Sequence, residues 1–358
     1  VQSIVVLGST GSIGVNTLKI AKKFGIKVEG IVANSNTTLL NQQIEKFQPK
    51  YVAIANEKKK DAVKFDSLFV GSGGIIELLH HCQSPLVVNA MVGYSGVMPS
   101  IECLKLGKRL ALANKESLVV AGKFLDCTQI HPIDSEHFGL WYLMGEKKFS
   151  KLYITASGGA LRDWDVAKMK DARVEDVLRH PNWSMGQKIT VDSATMVNKL
   201  FEVLEAKWLF NTDKIDALIE EKSIIHALIE FEDGSTTAHI ADVDMKLPIA
   251  YALNQKIEGQ ILKPIDLLKV GSLKFKSIEE QKYPLWKMKD YLLQNPDMGL
   301  VLNAANDMMV EKFLNKEVSF EAIYKNIDKA IEKFDGFILN SLSDIELCNS
   351  AVRNFLLT

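Results

Sequence analysis

Gly8-Ser9-Thr10-Gly11-Ser12-Ile13-Gly14 is the stretch whose reading decides the fold. It follows a short apolar run, Ile4-Val5-Val6-Leu7, and precedes a helix-like segment, Val15–Phe24. Glycines between a strand and a helix allow a tight turn. They also let backbone approach a pyrophosphate at the helix N-terminus, where unpaired N–H groups gather. The spacing is G-x-x-G-x-x-G, a variant of the dinucleotide fingerprint, and by itself it also fits an ordinary strand-to-helix turn.

Around this turn, short β-branched runs alternate with helical patterns. The strand candidates are Ile4–Leu7, Val28–Ala33, Tyr51–Ala55, Leu68–Val70, Leu86–Ala90 and Arg109–Ala113, with a further helical segment at Leu39–Phe47. Such alternation predicts a parallel sheet with helices on both faces. Residues 121–260 are less regular. They carry turn signals at Ser157-Gly158-Gly159, His180-Pro181-Asn182 and Asp233-Gly234, the last joining Ser223–Glu232 and Ser235–Ala241 as a β-hairpin. Beyond residue 275 the apolar spacing is helical, at Leu285–Leu293, Leu302–Phe313, Phe320–Phe334 and Ile345–Leu357. The expected architecture is α/β. A Rossmann-like dinucleotide-binding domain spans 1–120, an α+β catalytic domain spans 121–260, and a linker with a C-terminal helical domain spans 261–358.

Composition narrows the class. The chain has 358 residues and a formal charge of -1, so bulk charge points to neither nucleic acid nor a membrane surface. No apolar run reaches the roughly 18 residues of a membrane span. Four scattered cysteines, with no C-x-x-C pair, suit a reducing cytosol and a cytoplasmic protein. The opening apolar run reads as a buried strand and not as a signal peptide.

Several segments carry chemistry. The second strand runs into Asn34-Ser35-Asn36, where an NAD-preferring site usually places a carboxylate. Three small polar side chains and no acid favour NADPH, although they also suit a polar turn. In His131-Pro132-Ile133-Asp134-Ser135-Glu136-His137, Asp134 and Glu136 offer hard oxygens for Mg2+ or Mn2+. The same residues fit a helix N-terminus, with Asp134 or Ser135 as cap. Val191-Asp192-Ser193-Ala194-Thr195-Met196 reads as the end of a strand and the start of a helix reaching about Phe210, with Asp192 or Ser193 at the N-cap. On that helix Asn198 and Lys199 share a face with Glu202. Lys199 suits a phosphate, and Glu202 would complete a three-carboxylate metal site. The plain alternative is a solvated Lys–Glu pair.

Ile154-Thr155-Ala156-Ser157-Gly158-Gly159 reads as a strand ending in an anion nest. Arg179–Gln187 contains Trp183 in a loop bounded by proline and glycine, a composition that fits a lid or a loop anchored to the core by its indole. Lys115 lies just beyond a strand, where open α/β sheets bind ligands.

Together these segments resemble the 1-deoxy-D-xylulose 5-phosphate reductoisomerase family. The resemblance rests on Gly8–Gly14, Leu112-Ala113-Asn114-Lys115-Glu116-Ser117-Leu118, Pro132–His137, His180-Pro181-Asn182-Trp183-Ser184-Met185-Gly186 and Val191–Met196, followed by Asn198, Lys199 and Glu202. It runs along almost the whole chain. It implies that Asp134, Glu136 and Glu202 bind the divalent metal, and that Lys115, Glu136 and Glu202 form the catalytic set, with Lys115 near the reacting carbons. It implies substrate contacts from Ser135, Ser157, His180, Trp183, Ser193, Asn198 and Lys199, of which Ser157, Ser193, Asn198 and Lys199 surround the phosphate. Cofactor contacts would come from Thr10, Gly11, Ser12, Ile13, Asn114, Glu116 and Gly186, with Asn34, Ser35 and Asn36 at the 2′-phosphate. Trp183 would belong to a mobile lid, and the protein would be a homodimer.

The implied reaction rearranges a small phosphorylated sugar, 1-deoxy-D-xylulose 5-phosphate, and reduces it with NADPH to 2-C-methyl-D-erythritol 4-phosphate, in non-mevalonate isoprenoid biosynthesis. Three departures stand out. Asn34-Ser35-Asn36 replaces a common Gly-Lys-Asn, so a basic residue is missing. Ala156 stands where glycine is common. Leu200-Phe201 replaces Gly-Leu, which strengthens the helix. The rival readings are another metal-assisted NADP oxidoreductase, which would need arginines for a carboxylate substrate, and an NADPH-binding module, which would not need three carboxylates.

Overall fold

The computed structural model describes residues 1–357 except Ser184 and Gln255. The described chain divides into two compact units, and the division is not consecutive. Unit 1 comprises Val1–Ser117, Phe124–Phe138 and Asp244–Lys263. Unit 2 comprises Leu118–Lys123, Gly139–Val243 and the residues from Pro264 onward.

Unit 1 is built on seven strands: β1 (Ser3–Leu7), β2 (Lys27–Ala33), β3 (Tyr51–Ile54), β4 (Leu68–Val70), β5 (Leu86–Asn89), β6 (Arg109–Leu112) and β7 (Ile130–Pro132). Their order is β4-β3-β2-β1-β5-β6-β7, and every pairing is parallel. Six of these strands fall on the expected runs. The seventh ends on Pro132 at the sheet edge, the position a proline tolerates because no ladder N–H is required of it there. The central strand β1 is apolar on both faces, and Ile4, Val5, Val6 and Leu7 are fully buried, as a doubly covered parallel sheet requires.

The helices of this unit are α1 (Ser12–Lys23), α2 (Thr37–Phe47), α3 (Gly71–His81), α4 (Val97–Lys105) and the starts of α5 (Lys115–Ala121) and α6 (Ser135–Leu143). A further helix, α11 (Lys246–Leu253), joins them from much later in the chain. Leu18, Ile20 and Ala21 of α1 share one apolar core with Ile249, Ala250, Ala252 and Leu253 of α11. Burying a side chain the size of leucine contributes about 1.5–3 kcal/mol, which is why residues 244–263 return to unit 1. Unit 1 thus draws in a segment from far along the chain.

Unit 2 holds a five-stranded sheet of β8 (Phe149–Ala156), β9 (Ile215–Glu220), β10 (Ile225–Phe231), β11 (Thr236–Ile240) and β12 (Phe275–Lys276), in the order β11-β10-β8-β9-β12. β8 runs parallel to β9, and the other pairings are antiparallel. The expected hairpin over Asp233-Gly234 is β10–β11. The helices are α7 (Val166–Met169), α8 (Val174–Val177), α9 (Gln187–Thr195), α10 (Val197–Phe210), α12 (Leu267–Val270), α13 (Lys289–Gln294), α14 (Met298–Leu314), α15 (Phe320–Lys333) and α16 (Ser343–Phe355).

One expectation is corrected here. Val191 ends no strand: residues 187–195 are helical, so Asp192 and Ser193 lie inside α9 and cap nothing. The break comes at Met196, whose φ of 67° ends α9 and begins α10. The β-branched Ile189-Thr190-Val191 favours a strand locally, and tertiary packing overrides that preference.

Candidate active site

In unit 1 the site residues gather at the carboxyl ends of parallel strands. Thr10 and Gly11 lie in the turn from β1 into α1, Ser12 and Ile13 open that helix, and strand order reverses between β1 and β5, the switch point where such sheets bind ligands. Two glycines are sterically required. A Cβ on Gly8 would lie 2.4 Å from the Ala90 carbonyl oxygen, and one on Gly14 would lie 2.2 Å from the Gly8 oxygen. Gly8 also has a φ of 79°, which a side chain rarely adopts. Gly11 is different: its Cβ would meet only the Gly8 oxygen, at 3.4 Å. The turn is locked from behind, where Ser9 Oγ donates to Gln43 Oε1 at 2.7 Å and Gln43 Nε2 donates back to the Ser9 carbonyl at 2.8 Å. Two glycines thus build the turn, and the third leaves backbone open at the N-cap of α1. This cradle fits a dinucleotide pyrophosphate.

At the end of β2, Asn34, Ser35 and Asn36 are exposed. Asn36 caps α2 by accepting from the Leu39 N–H at 3.1 Å, and Ser35 Oγ accepts from Asn56 Nδ2 at 3.0 Å. Beyond β6, Asn114 is buried, and its amide donates to the Gly93 carbonyl at 2.9 Å and to Glu116 at 2.8 Å. Lys115 and Asp134, from the ends of neighbouring β6 and β7, form an ion pair of 2.5 Å with both side chains largely buried. Asp134 accepts the Phe138 N–H through its carbonyl at 2.8 Å, and Glu136 lies in the first turn of α6, where Ser135 Oγ donates to it at 2.5 Å. The helix-N-terminus reading of the acidic segment holds: the carboxylates sit at the start of α6, whose dipole favours them.

In unit 2, α10 carries Asn198, Lys199 and Glu202. Asn198 Nδ2 and Lys199 Nζ both donate to the Glu202 carboxylate. Lys199 and Glu202 are buried, so the solvated Lys–Glu pair is excluded. A carboxylate that deep requires compensation by charge and hydrogen bonds. The carboxylates of Asp134 and Glu136 in unit 1, and that of Glu202 in unit 2, are each hard oxygen donors, the kind that Mg2+ and Mn2+ take.

Ser157 follows β8, and the turn after it has φ of 87° at Gly158 and 70° at Gly159. Its hydroxyl is well defined. His180 Nδ1 accepts the N–H groups of Asn182 at 3.2 Å and Trp183 at 2.9 Å, so in the neutral ring the proton sits on Nε2. That Nε2 lies 2.8 Å from Ser157 Oγ and donates to it, and the Gly159 N–H donates to the same oxygen at 3.1 Å. With two acceptances made, the Ser157 hydroxyl has its own proton left to give, as an anion requires. Burial, with the charges of Arg162 and Lys199 behind it, pushes His180 down to about 4, so it is neutral at pH 7.

Trp183 stands edge-on to His226, with ring centroids 6.2 Å apart, and is half-buried. Ser184 of the same loop lies outside the described residues. Gly186, expected at the cofactor, is the N-cap of α9. Ser193 sits within α9, half-buried.

Residues that carry no motif also shape this turn. Arg162 Nη1 donates to the Ser157 carbonyl at 3.1 Å and the Glu221 carbonyl at 2.8 Å, and Tyr283 Oη donates to the Gly158 carbonyl at 2.8 Å. Tyr283 is 125 positions from Gly158, a separation that no local signal reveals.

Three family models cover the chain. That for 1-deoxy-D-xylulose 5-phosphate reductoisomerase matches residues 4–122, its C-terminal domain model matches 130–210, and a second C-terminal domain model matches 240–355. The 1-deoxy-D-xylulose 5-phosphate reductoisomerase of Nautilia profundicola is 54% identical over 360 residues, covering 98% of each chain. The chain belongs to the 1-deoxy-D-xylulose 5-phosphate reductoisomerase family. The Helicobacter pylori reductoisomerase is 50% identical over 359 residues, again 98% of each chain. Among solved structures, a reductoisomerase in complex with NADPH, fosmidomycin and magnesium is 32% identical, with a TM-score of 0.91 over 100% of this chain and 98% of that one. The Zymomonas mobilis reductoisomerase in complex with NADPH is 28% identical, with a TM-score of 0.87 over 99% and 97%.

Proposed function

We propose that this chain converts 1-deoxy-D-xylulose 5-phosphate to 2-C-methyl-D-erythritol 4-phosphate, an isomerisation followed by reduction with NADPH, in the presence of a divalent metal ion. The observation that carries the reading is the Ser157–Gly159 turn, whose hydroxyl proton is free to donate to an anion, in a chain of this family that also has the Gly8–Gly14 cradle.

Ser157, Ser193, Asn198 and Lys199 hold the phosphate, far from the reacting carbons. Binding energy from that remote group positions the fragments while the carbon skeleton breaks and re-forms. His180 serves as a neutral ring that orients Ser157. Asp134, Glu136 and Glu202 would hold Mg2+ or Mn2+, which would supply Lewis acidity to the substrate's ketone. Lys115 brings positive charge beside that oxygen pair, and Ser135 orients Glu136. Thr10 to Ile13 and Asn34 to Asn36 would hold NADPH, which would supply the hydride that reduces the aldehyde, and Asn114, Glu116 and Gly186 are further proposed contacts. Trp183 and its loop exclude water from the fragments.

The assembly we propose is a homodimer. Leu267, Leu268 and Phe275 are exposed apolar side chains that a second copy would cover. We place the protein in the cytoplasm, where its four cysteines stay reduced. Among the described residues, no helix is long and apolar enough to cross a membrane.

The test is NADPH oxidation with 1-deoxy-D-xylulose 5-phosphate, with and without Mg2+. Turnover is expected only with the metal. Glu202→Gln is expected to abolish turnover, by at least about a thousandfold, while NADPH still binds. Full activity in that variant would remove the metal assignment.

A further inference from the structure

Helix α9 supports the phosphate side of the site, and its own support comes from α14. Asp192 is almost wholly buried. Its Oδ1 accepts from Asn306 Nδ2 at 2.8 Å and its Oδ2 accepts from Lys188 Nζ at 2.8 Å. Lys188 also reaches Asp307 Oδ1 at 3.2 Å and lies over the Phe201 ring, 5.2 Å from its centroid. Asn303, Asn306 and Asp307 share one face of α14, at helical spacing, in a helix whose other buried residues are mainly apolar. Burying amides and charges there costs stability relative to well-packed apolar side chains, and such groups are best understood as fixing one arrangement.

What the clamp fixes is the backbone next to Asp192. A Cβ on Gly159 would lie 2.7 Å from the Ser193 carbonyl oxygen and 2.8 Å from Ala194 Cα, so the phosphate turn rests directly on α9. The left-handed Met196 follows, its N–H donating to the Ser193 carbonyl at 3.4 Å and its carbonyl accepting from the Lys199 N–H at 3.1 Å. Ser193, the Gly159 turn and Lys199 therefore move with α9.

We infer that Asp192, clamped by Asn306 and Lys188, is a positioning residue that sets affinity for the substrate's phosphate end. This rests on the phosphate reading of Ser157, Ser193 and Lys199 given above. Both oxygens of Asp192 are engaged by these two side chains, and the inference gives it no direct contact with the substrate. Its effect is geometric, and misplacing a binding group by a fraction of an ångström weakens every contact that group makes.

The test uses the full chain with saturating NADPH and Mg2+. Asn306→Leu removes the hydrogen bond, and Asn306→Asp sets carboxylate against carboxylate. The pair Asp192→Asn with Asn306→Asp restores one amide–carboxylate contact with the roles exchanged. Each single change is expected to raise the KM for 1-deoxy-D-xylulose 5-phosphate about tenfold, with kcat changed less than about threefold and NADPH affinity held within about twofold. The pair is expected to recover most of the lost KM. Unchanged KM in the soluble single variants, or a double variant as impaired as the two changes summed, overturns the inference. If Asn306→Asp does not fold, Asn306→Leu and the double variant still decide the question. Ser193→Ala separates the two layers. If it leaves KM unaltered, the phosphate reading falls and the inference with it. If it raises KM while the clamp variants do not, the inference alone falls.

Discussion

Two glycine turns lie at strand ends in this molecule, Gly8–Gly14 after β1 and Ser157–Gly159 after β8, and they are supported in opposite ways. In the first, the atoms that exclude a side chain belong to the turn itself or to the neighbouring strand end: Gly14 against Gly8 and Ser9, and Gly8 against Ala90. In the second they come from far along the chain. Gly159 rests on Ser193 and Ala194, Tyr283 holds the Gly158 carbonyl, and His180 orients Ser157. The first turn is visible as a spacing because Gly14 packs on Gly8 and Ser9 of the same turn, although Ala90 and Gln43 also brace it. A turn assembled from distant chain shows only its small residues and depends on how well its supports are held.

The contrast can be broken most forcefully at Gly14. Gly14→Ala places a methyl 2.2 Å from a backbone oxygen, and relieving it requires the β1–α1 turn to shift. The expected cost is about 3 kcal/mol, read as a lowered denaturation midpoint together with weakened NADPH binding. Gly11→Ala is the control: with 3.4 Å available, its stability should stay near wild type. Equal losses in both would show that the turn does not depend on its own internal packing.

Gly159→Ala should do less to stability and more to one ligand. Its positive φ costs about 1–2 kcal/mol in a residue with a side chain, and the methyl presses on α9. The expected result is a KM for the sugar phosphate raised about tenfold, with NADPH affinity unchanged. Loss of NADPH affinity as well would mean that the second turn is not confined to the phosphate.

The smallest effect separates the turns by pH. The first contains no titrating side chain, whereas the second leans on His180. With its folded value depressed to about 4 from an ordinary 6.5, His180 contributes its full stability above about 6.5 and loses it as pH falls toward 4. Melting temperatures between pH 7 and pH 4 should fall more steeply for wild type than for His180→Gln. Parallel curves would detach His180 from the turn.

The same distinction explains what the sequence made legible. Six strands of the parallel sheet, the glycine turn, the β10–β11 hairpin and the long C-terminal helices all rest on local periodicity and turn chemistry, and each appears near its expected place. The acidic segment was readable as two things at once because a helix N-terminus and a pair of hard ligands ask for the same residues there. α9 is not legible because Ile189-Thr190-Val191 looks extended, while the Lys188–Asp192 pair on it is joined by Asn306 from 114 positions away. Met196 gave no sign of a left-handed break, since a methionine there is held by its surroundings and not by its own preference. The return of residues 244–263 to unit 1 was hidden for a similar reason: an apolar helix announces that it will be buried, but not against what.

That return has a consequence for how the protein is made. Leu18, Ile20 and Ala21 share a core with Ile249, Ala250, Ala252 and Leu253, so a nascent chain cannot finish its first unit when residue 120 leaves the ribosome. It must wait until the whole of α11 has emerged, by which time β8 to β11 have already been synthesised. Folding strictly in the order of translation is closed to this chain, and its first unit spends that interval with apolar surface that a chaperone would recognise.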